Sequence, residues 1–432
     1  MDYKEARVYL DNVAKYGSVL GLENMRELLR RLGNPQDELR FVHISGTNGK
    51  GSVLAYISTV LKEAGYRVGR YVSPTLFSYR ERIQVNEEYI EKEPLARLAT
   101  RVAEAAEAMA EEGRPHPTAF EIETCLAFLY FLEKKCDIVV LETGLGGLLD
   151  ATNVIKTAEL AVLASISLDH MGLLGNTLGE IAENKAGIIK PHMAVVTARQ
   201  EPEAMEVIER ACRERACSLA VADAGKACDI RYGYERQTFS YGGYWELVIS
   251  LGGVCQIGNA VLAVEAVKAL VSLGWQVTEE QLRRGLETAR WRGRFSVIAK
   301  DPLFLIDGAH NRDAAKILRK SLELCFTNRR FFYIMGVFKD KEYEEIVKTT
   351  VPLSTHVITI ETPGNSRALP AGELLKVVRK YQPSAESADN ILKAVQKSLE
   401  MADKEDVIIA FGSLSFLGEV TKAVAAVRSA EL

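Results

Sequence analysis

One glycine-rich loop and three isolated side chains have the types and settings that could do chemistry. The loop lies in FVHISGTNGKGSVLAYISTVL (41–61), with glycines at 46, 49 and 51, a lysine at 50 and a serine at 52. An apolar strand pattern runs into it and a helical pattern runs out. Several backbone N–H groups and the positive end of a helix therefore converge on one point, which suits a phosphate. Lys50 can reach the outer phosphates of a nucleotide, and the Ser52 hydroxyl can ligate Mg²⁺. The common P-loop pattern is missed twice: Ile44 replaces its first glycine, and Gly51 replaces the Ser or Thr after the lysine. Glycines alone would also serve a tight strand–helix turn. Lys50 and Ser52 at the helix start tip the balance to a nucleotide.

Glu142 ends the apolar run DIVVLE, His170 follows Asp169 after another apolar run, and Lys185 lies on a helical stretch. At the carboxyl end of a parallel strand, a glutamate sits where ligands of α/β sheets gather. Taken alone, these three residues also fit a charged strand end, a hydrogen-bonded loop histidine and a solvated helix face.

The elements that must hold these residues read clearly. Strand patterns fall at 40–45, 67–72, 137–141, 160–166 and 193–197, and helical periodicity at 51–64, 93–112, 119–134, 176–188 and 202–215. Continuous apolar strands interleaved with helices predict an α/β domain whose mostly parallel sheet is covered on both faces. Alternation around Gly242-Gly243 within 228–250 predicts an antiparallel hairpin, and helices follow at 257–273 and 277–290. A second series has strands near 303–306, 330–335, 356–360 and 406–411. These patterns predict an N-terminal domain over 1–294 and a C-terminal α/β domain over 295–432.

Composition excludes several classes. Net charge is only −4, which favours neither nucleic acid nor an anionic membrane. The sequence has no apolar run of spanning length, and its start is charged and amphipathic rather than leader-like. Seven cysteines without a CxxC pair fit a reducing, cytoplasmic setting.

Eight blocks occur in order: SGTNGKGS (45–52), VSPTLFSYRERIQVN (72–86), TAFE (118–121), ETGLGGLLDATN (142–153), SISLDHMGLLGNT (165–177), AENKAGIIKP (182–191), WRGRF (291–295) and IDGAHN (306–311). Together they resemble the folylpolyglutamate synthase/dihydrofolate synthase family, a branch of the Mur-type ATP-dependent amide ligases. The family's compact phosphate loop, G-T-x-G-K, accounts for the departure from the common pattern. The resemblance implies a P-loop N-terminal domain and a smaller Rossmann-like C-terminal domain. It implies addition of L-glutamate to a folate or dihydropteroate through an acyl phosphate, by a monomer.

The same resemblance implies roles for individual residues. ATP would meet Gly46, Thr47, Asn48, Gly49, Lys50, Gly51, Ser52, Asn259, Arg294 and Asp307. Mg²⁺ would be held by Ser52, Ser73, Glu142 and His170. Lys185 would be carbamylated and would act in catalysis with His170 and Lys50. The pteroate segments imply Thr118, Phe120, Glu121, Asp150 and Ala151 as substrate contacts, with His310 and Ser413 for the incoming glutamate. Three positions depart from the family's usual residues: Thr75 for histidine, Leu148 for arginine and Asn184 for glutamate. They bear on substrate preference more than on reaction type.

Two other functions compete. A cell-wall Mur ligase would place a UDP-recognising domain ahead of the loop, and only 45 residues precede Gly46. A non-catalytic nucleotide-binding protein would keep the loop but have no use for Glu142, His170, Lys185, Arg294 and Asp307 together. NKAG (184–187) resembles a guanine motif but has no Asp at 187, and GLGG (144–147) is too short for a dinucleotide fingerprint.

Overall fold

The apolar runs become the central strands of an eight-stranded sheet: β1 Phe41–Ser45, β2 Val68–Tyr71, β3 Ile83–Val85, β4 Glu88–Tyr89, β5 Ile138–Glu142, β6 Ala158–Leu163, β7 Ala194–Ala198 and β8 Ser218–Ala222. Their order is β4-β3-β2-β5-β1-β6-β7-β8. Strands β2, β5, β1, β6, β7 and β8 are mutually parallel, and β3 and β4 add an antiparallel edge. In this computed structural model residues 1–13 and 21–430 are described.

All five residues of β1 and of β5 are buried, as strands covered on both faces require. On one face the helix Lys50–Glu63 buries eleven of its fourteen residues. On the other, the helix Ala119–Glu133 packs Phe128 edge-on against Phe41, ring centroids 5.5 Å apart. The helices Tyr3–Val13 and Glu23–Arg31 close the same core.

A second unit holds a three-stranded antiparallel sheet: β9 Cys228–Arg231, β10 Gln237–Tyr241 and β11 Tyr244–Ile249. It also holds a six-stranded sheet: β12 Ser296–Ala299, β13 Leu303–Ile306, β14 Phe331–Met335, β15 His356–Thr359, β16 Glu386–Ser387 and β17 Val407–Phe411. The order is β12-β13-β17-β14-β15-β16, parallel except for β12. Tyr333 and Phe411 meet edge-on at 5.1 Å in its core.

The predicted strands and helices appear within a few residues of their expected places. The additions are the helices Tyr3–Val13 and Glu23–Arg31 and the strands β3, β4, β8, β12 and β16; these strands lie at or next to a sheet edge and so lack the continuous apolar run of a central strand.

Unit division is more involved than one boundary after residue 294. The first unit comprises Met1–Ala227 and Gly258–Thr288, and the second Cys228–Ile257 with the chain from Ala289 onward. Long-range contacts return the hairpin to the second unit. Tyr234 stacks at 5.2 Å from Phe326, the Val254 N–H donates to Ser321 Oγ at 3.0 Å, and Lys300 pairs with Glu235 at 2.9 Å. Local alternation reveals a hairpin but not its distant partner.

Among the described residues one helix, Cys255–Ser272, is long and apolar enough to cross a membrane by composition. More than half of it is buried in the protein, and it carries Asn259 to the loop after β1.

Candidate active site

The chain leaves β1 at Ser45 and turns through Gly46–Gly49 into the helix Lys50–Glu63. Gly49 caps that helix with φ +91°, and a Cβ there would lie 2.5 Å from Asn259 Oδ1. Both the backbone angle and the close approach demand glycine. Asn259, which the family resemblance assigns to ATP, therefore lies against the loop.

Thr47 and Asn48 have another task. Their N–H groups donate to Ser165 O at 2.7 and 3.1 Å, and Thr47 Oγ1 exchanges hydrogen bonds with Ser167. These bonds tie the loop to the segment after β6. The first turn of the helix, with Lys50, Gly51 and the buried Ser52, turns its backbone N–H groups toward the loop end. Those N–H groups and the helix dipole make an end suited to an anion such as a phosphate.

Two lysines meet at one carbonyl. Lys50 Nζ donates to Gly46 O at 3.1 Å, and Lys185 Nζ donates to the same oxygen at 2.9 Å. Lys185 comes from the helix Leu178–Ala186 and is only 4% exposed. Burial, and then the charge of Lys50, pull its pKa from 10.5 down to about 7. Glu142, buried at the end of β5, lies 3.9 Å from Lys50 Nζ. The Ser73 N–H points at Glu142 Oε2, 3.4 Å away. Lys50, Lys185, Glu142 and Ser73 thus gather at the carboxyl ends of β1, β2 and β5. His170 lies on an exposed stretch, with φ 51° and its N–H on Asp169 Oδ1, and the Asp169 carboxylate lies within the electrostatic reach of Lys185.

No group of three or more His, Cys, Asp or Glu side chains converges among the described residues. Mg²⁺ does not need one, because it takes one or two carboxylates and fills its octahedron with water and phosphate oxygens.

On the predicted pteroate side, Phe120 turns its ring toward Gly144, where a Cβ would lie 2.5 Å from Phe120 Cζ. Asp150 is buried and accepts from Leu145 N at 2.7 Å and Thr152 N at 3.0 Å. Its burial raises its carboxyl pKa, against the lowering effect of those donors. Ala151 follows it, buried. Thr118 and Glu121 form a capping box at the start of the helix Ala119–Glu133: Glu121 N donates to Thr118 Oγ1, and Thr118 N donates to Glu121 Oε2 at 2.8 Å. Their polar atoms are engaged with the helix end, a local task the sequence pattern T-x-x-E already spells.

In the second unit, Asp307 follows β13 and accepts from Phe295 N at 2.7 Å and Ala309 N at 2.8 Å. Enclosure raises its pKa, while Arg294 and these two amides lower it. A Cβ on Gly308 would collide with Arg294 Nη1, so the Arg294 guanidinium lies close against this turn. His310 Nδ1 bonds Gly308 O at 2.7 Å, and Ser413 caps the short helix after β17 through the Ser415 N–H.

Sequence reasoning missed Ser45 and Ser165. Ser45 Oγ donates to Gly146 O at 2.6 Å, and Ser165 O accepts the two loop amides. Both lie inside quoted blocks, but the residue type alone says nothing of which distant backbone group it holds.

Two family descriptions match the chain: the Mur ligase middle domain over residues 44–267, and the Mur ligase glutamate ligase domain over 293–414. A dihydrofolate synthase/folylpolyglutamate synthase of Bacillus subtilis is 35% identical over 97% of this chain and 98% of its own. The crystal structure of a Thermotoga maritima folylpolyglutamate synthase superposes with a TM-score of 0.84 at 32% identity, covering 98% of this chain and 96% of that one. A Mycobacterium tuberculosis folylpolyglutamate synthase, complexed with ADP and AMPPCP, gives 0.88 at 28% identity over 99% of each chain.

Proposed function

The chain belongs to the folylpolyglutamate synthase/dihydrofolate synthase family of Mur-type ligases, and from that premise we propose how its residues carry the reaction. The enzyme is an ATP-dependent ligase that adds L-glutamate to the carboxylate of a folate or of dihydropteroate. An oxygen of that carboxylate attacks the γ-phosphorus, ADP leaves, and an acyl phosphate forms. The amino group of glutamate then attacks the carbonyl carbon; phosphate leaves and the nitrogen loses a proton. Such chemistry needs positioning and charge neutralisation more than a protein nucleophile.

The observation that carries this reading is the convergence of Lys50 and Lys185 on Gly46 O, with Glu142 beside Lys50. Lys50 and the first-turn amides of its helix take the outer phosphates. Glu142, Ser73 and Ser52 offer the hard oxygen donors that suit Mg²⁺, with His170 as a further ligand. When bound, that ion neutralises charge on the transferred phosphoryl group. Lys185 is assigned a carbamate. With a pKa of about 7 its amine is about half neutral near pH 7, the form that attacks CO₂. The product is an anion beside the ammonium of Lys50. Arg294 and Asp307 are assigned to the nucleotide, His310 and Ser413 to glutamate, and Phe120, Asp150 and Ala151 to the pteroate end. A monomer acting in a cytoplasmic, reducing setting completes the reading.

Phosphate release is the test. Turnover of ATP that requires both L-glutamate and either dihydropteroate or tetrahydrofolate supports the ligase, and comparing the two acceptors sets its preference. Turnover with neither acceptor, or only with UDP-linked sugars, rejects it. Intact-mass or ¹³C-bicarbonate NMR analysis that finds a plain amine on Lys185 in active enzyme removes the carbamate.

A further inference from the structure

Asn184 sits immediately before Lys185, and Ser45 immediately before Gly46. Between these two pairs runs the glycine loop after β5. Gly147 N donates to Asn184 Oδ1 at 3.0 Å, and Leu148 N donates to Asn184 O at 2.8 Å. Ser45 Oγ donates to Gly146 O at 2.6 Å, with the serine fully buried. A Cβ on Gly146 would collide with Asn184 Oδ1, and one on Gly147 would lie 2.7 Å from Lys185 O. Three consecutive residues, 146 to 148, are thus gripped from both sides. The grips come from direct neighbours of the two groups that meet at 2.9 Å, Gly46 O and Lys185 Nζ.

We propose that Asn184 and Ser45 are positioning residues that fix the Lys185 amine on the phosphate loop by clamping the 146–148 backbone between them. The inference rests on the assignment of Lys185 to catalysis. The task needs only a side-chain oxygen at this place that accepts from the Gly147 N–H. Asn184 is one of the departures from the family's usual residue, and its carboxamide is committed to loop backbone rather than to substrate choice. Neither clamp touches reacting groups, so their loss acts through geometry, and misplacement of a catalytic group by about 1 Å costs on the order of a hundredfold.

The test compares Asn184→Leu, Asn184→Asp, Ser45→Ala and Lys185→Ala in the full-length enzyme, reading kcat, the KM of each substrate and Tm. Asn184→Leu is expected to lower kcat about tenfold or more, with the KM for glutamate within about twofold. Asn184→Asp keeps the acceptor for Gly147 N–H and is expected to recover most of that loss. Ser45→Ala lowers kcat about threefold in the same manner. If Asn184→Leu does not fold, Ser45→Ala decides by the same kcat criterion. Wild-type kcat in the folded clamp variants beside an inactive Lys185→Ala overturns the proposal, as does an Asp variant no better than Leu. A fully active Lys185→Ala defeats the assignment beneath it, and the proposal with it.

Discussion

The loops after β1 and after β13 occupy the same kind of place, the carboxyl end of a buried strand with a parallel neighbour, and solve opposite electrostatic problems. After β1, two lysine amines share one carbonyl oxygen and the buried one is pushed toward its neutral form, with the Glu142 carboxylate 3.9 Å from the other and Asp169 and Asp150 farther off. After β13, the Asp307 carboxylate takes two backbone N–H groups and lies in the field of Arg294. The first arrangement concentrates positive charge that a phosphate or a carbamate would relieve. The second is balanced among its own residues. Excess charge held in place by the fold points to chemistry, whereas a self-satisfied network first of all shapes backbone.

The most direct way to break this comparison is Lys50→Ala. It is expected to lower kcat/KM for ligation about a thousandfold, with an unchanged fold by circular dichroism. Retained activity would move the phosphate site elsewhere.

Lys185→Met comes next, with a loss of about a hundredfold in kcat. Its stability effect runs the other way. Burial lowers the lysine's pKa from 10.5 to about 7, so between these values the unfolded chain binds more protons than the folded one. Stability of the CO₂-free protein therefore rises with pH from about 7 toward 10.5, and the penalty is full below about 7. Lys185→Met removes that dependence and is expected to raise Tm by several degrees at pH 6.5. An unaltered pH profile of urea unfolding would show that the amine is not held as a buried cation.

Asp307→Asn tests the balanced side. An amide offers one oxygen where the carboxylate offered two, so either the Phe295 or the Ala309 N–H loses its acceptor. The expected result is a KM for ATP raised about tenfold and a loss of about 1–2 kcal/mol in stability. A stability loss alone would make Asp307 a backbone organiser.

Legibility followed the same divide. Strands such as FVHIS and DIVVLE could be read because burial on both faces leaves them continuously apolar, and the phosphate loop because glycine, lysine and helix start lie within a few residues. The meeting of Lys185 with Gly46 could not be read, because 139 residues separate them and nothing local marks a buried lysine. The hairpin was visible through its Gly242-Gly243 turn, but its membership of the second unit depends on Tyr234, Glu235 and Val254 finding partners beyond residue 299. Ser45 and Asn184 hold backbone groups, which have no side-chain signature at all.

The smallest expected effect separates scaffold from site most finely. Thr118 lies in a segment that resembles a pteroate contact, yet its hydroxyl accepts Glu121 N and its own N–H donates to Glu121 Oε2. Thr118→Ala removes one half of the capping box and leaves the buried Glu121 carboxylate without the Thr118 hydroxyl, 2.9 Å away. A cap of this kind contributes about 1 kcal/mol, to be read as a lower urea midpoint at unchanged m-value. The KM for dihydropteroate or folate should then stay within about twofold, because a hydroxyl already bonded at both ends has little left for a ligand. A KM raised more than about threefold at unchanged stability would place Thr118 beside Phe120 as a substrate contact. A self-satisfied network would then no longer be enough to tell scaffold from site.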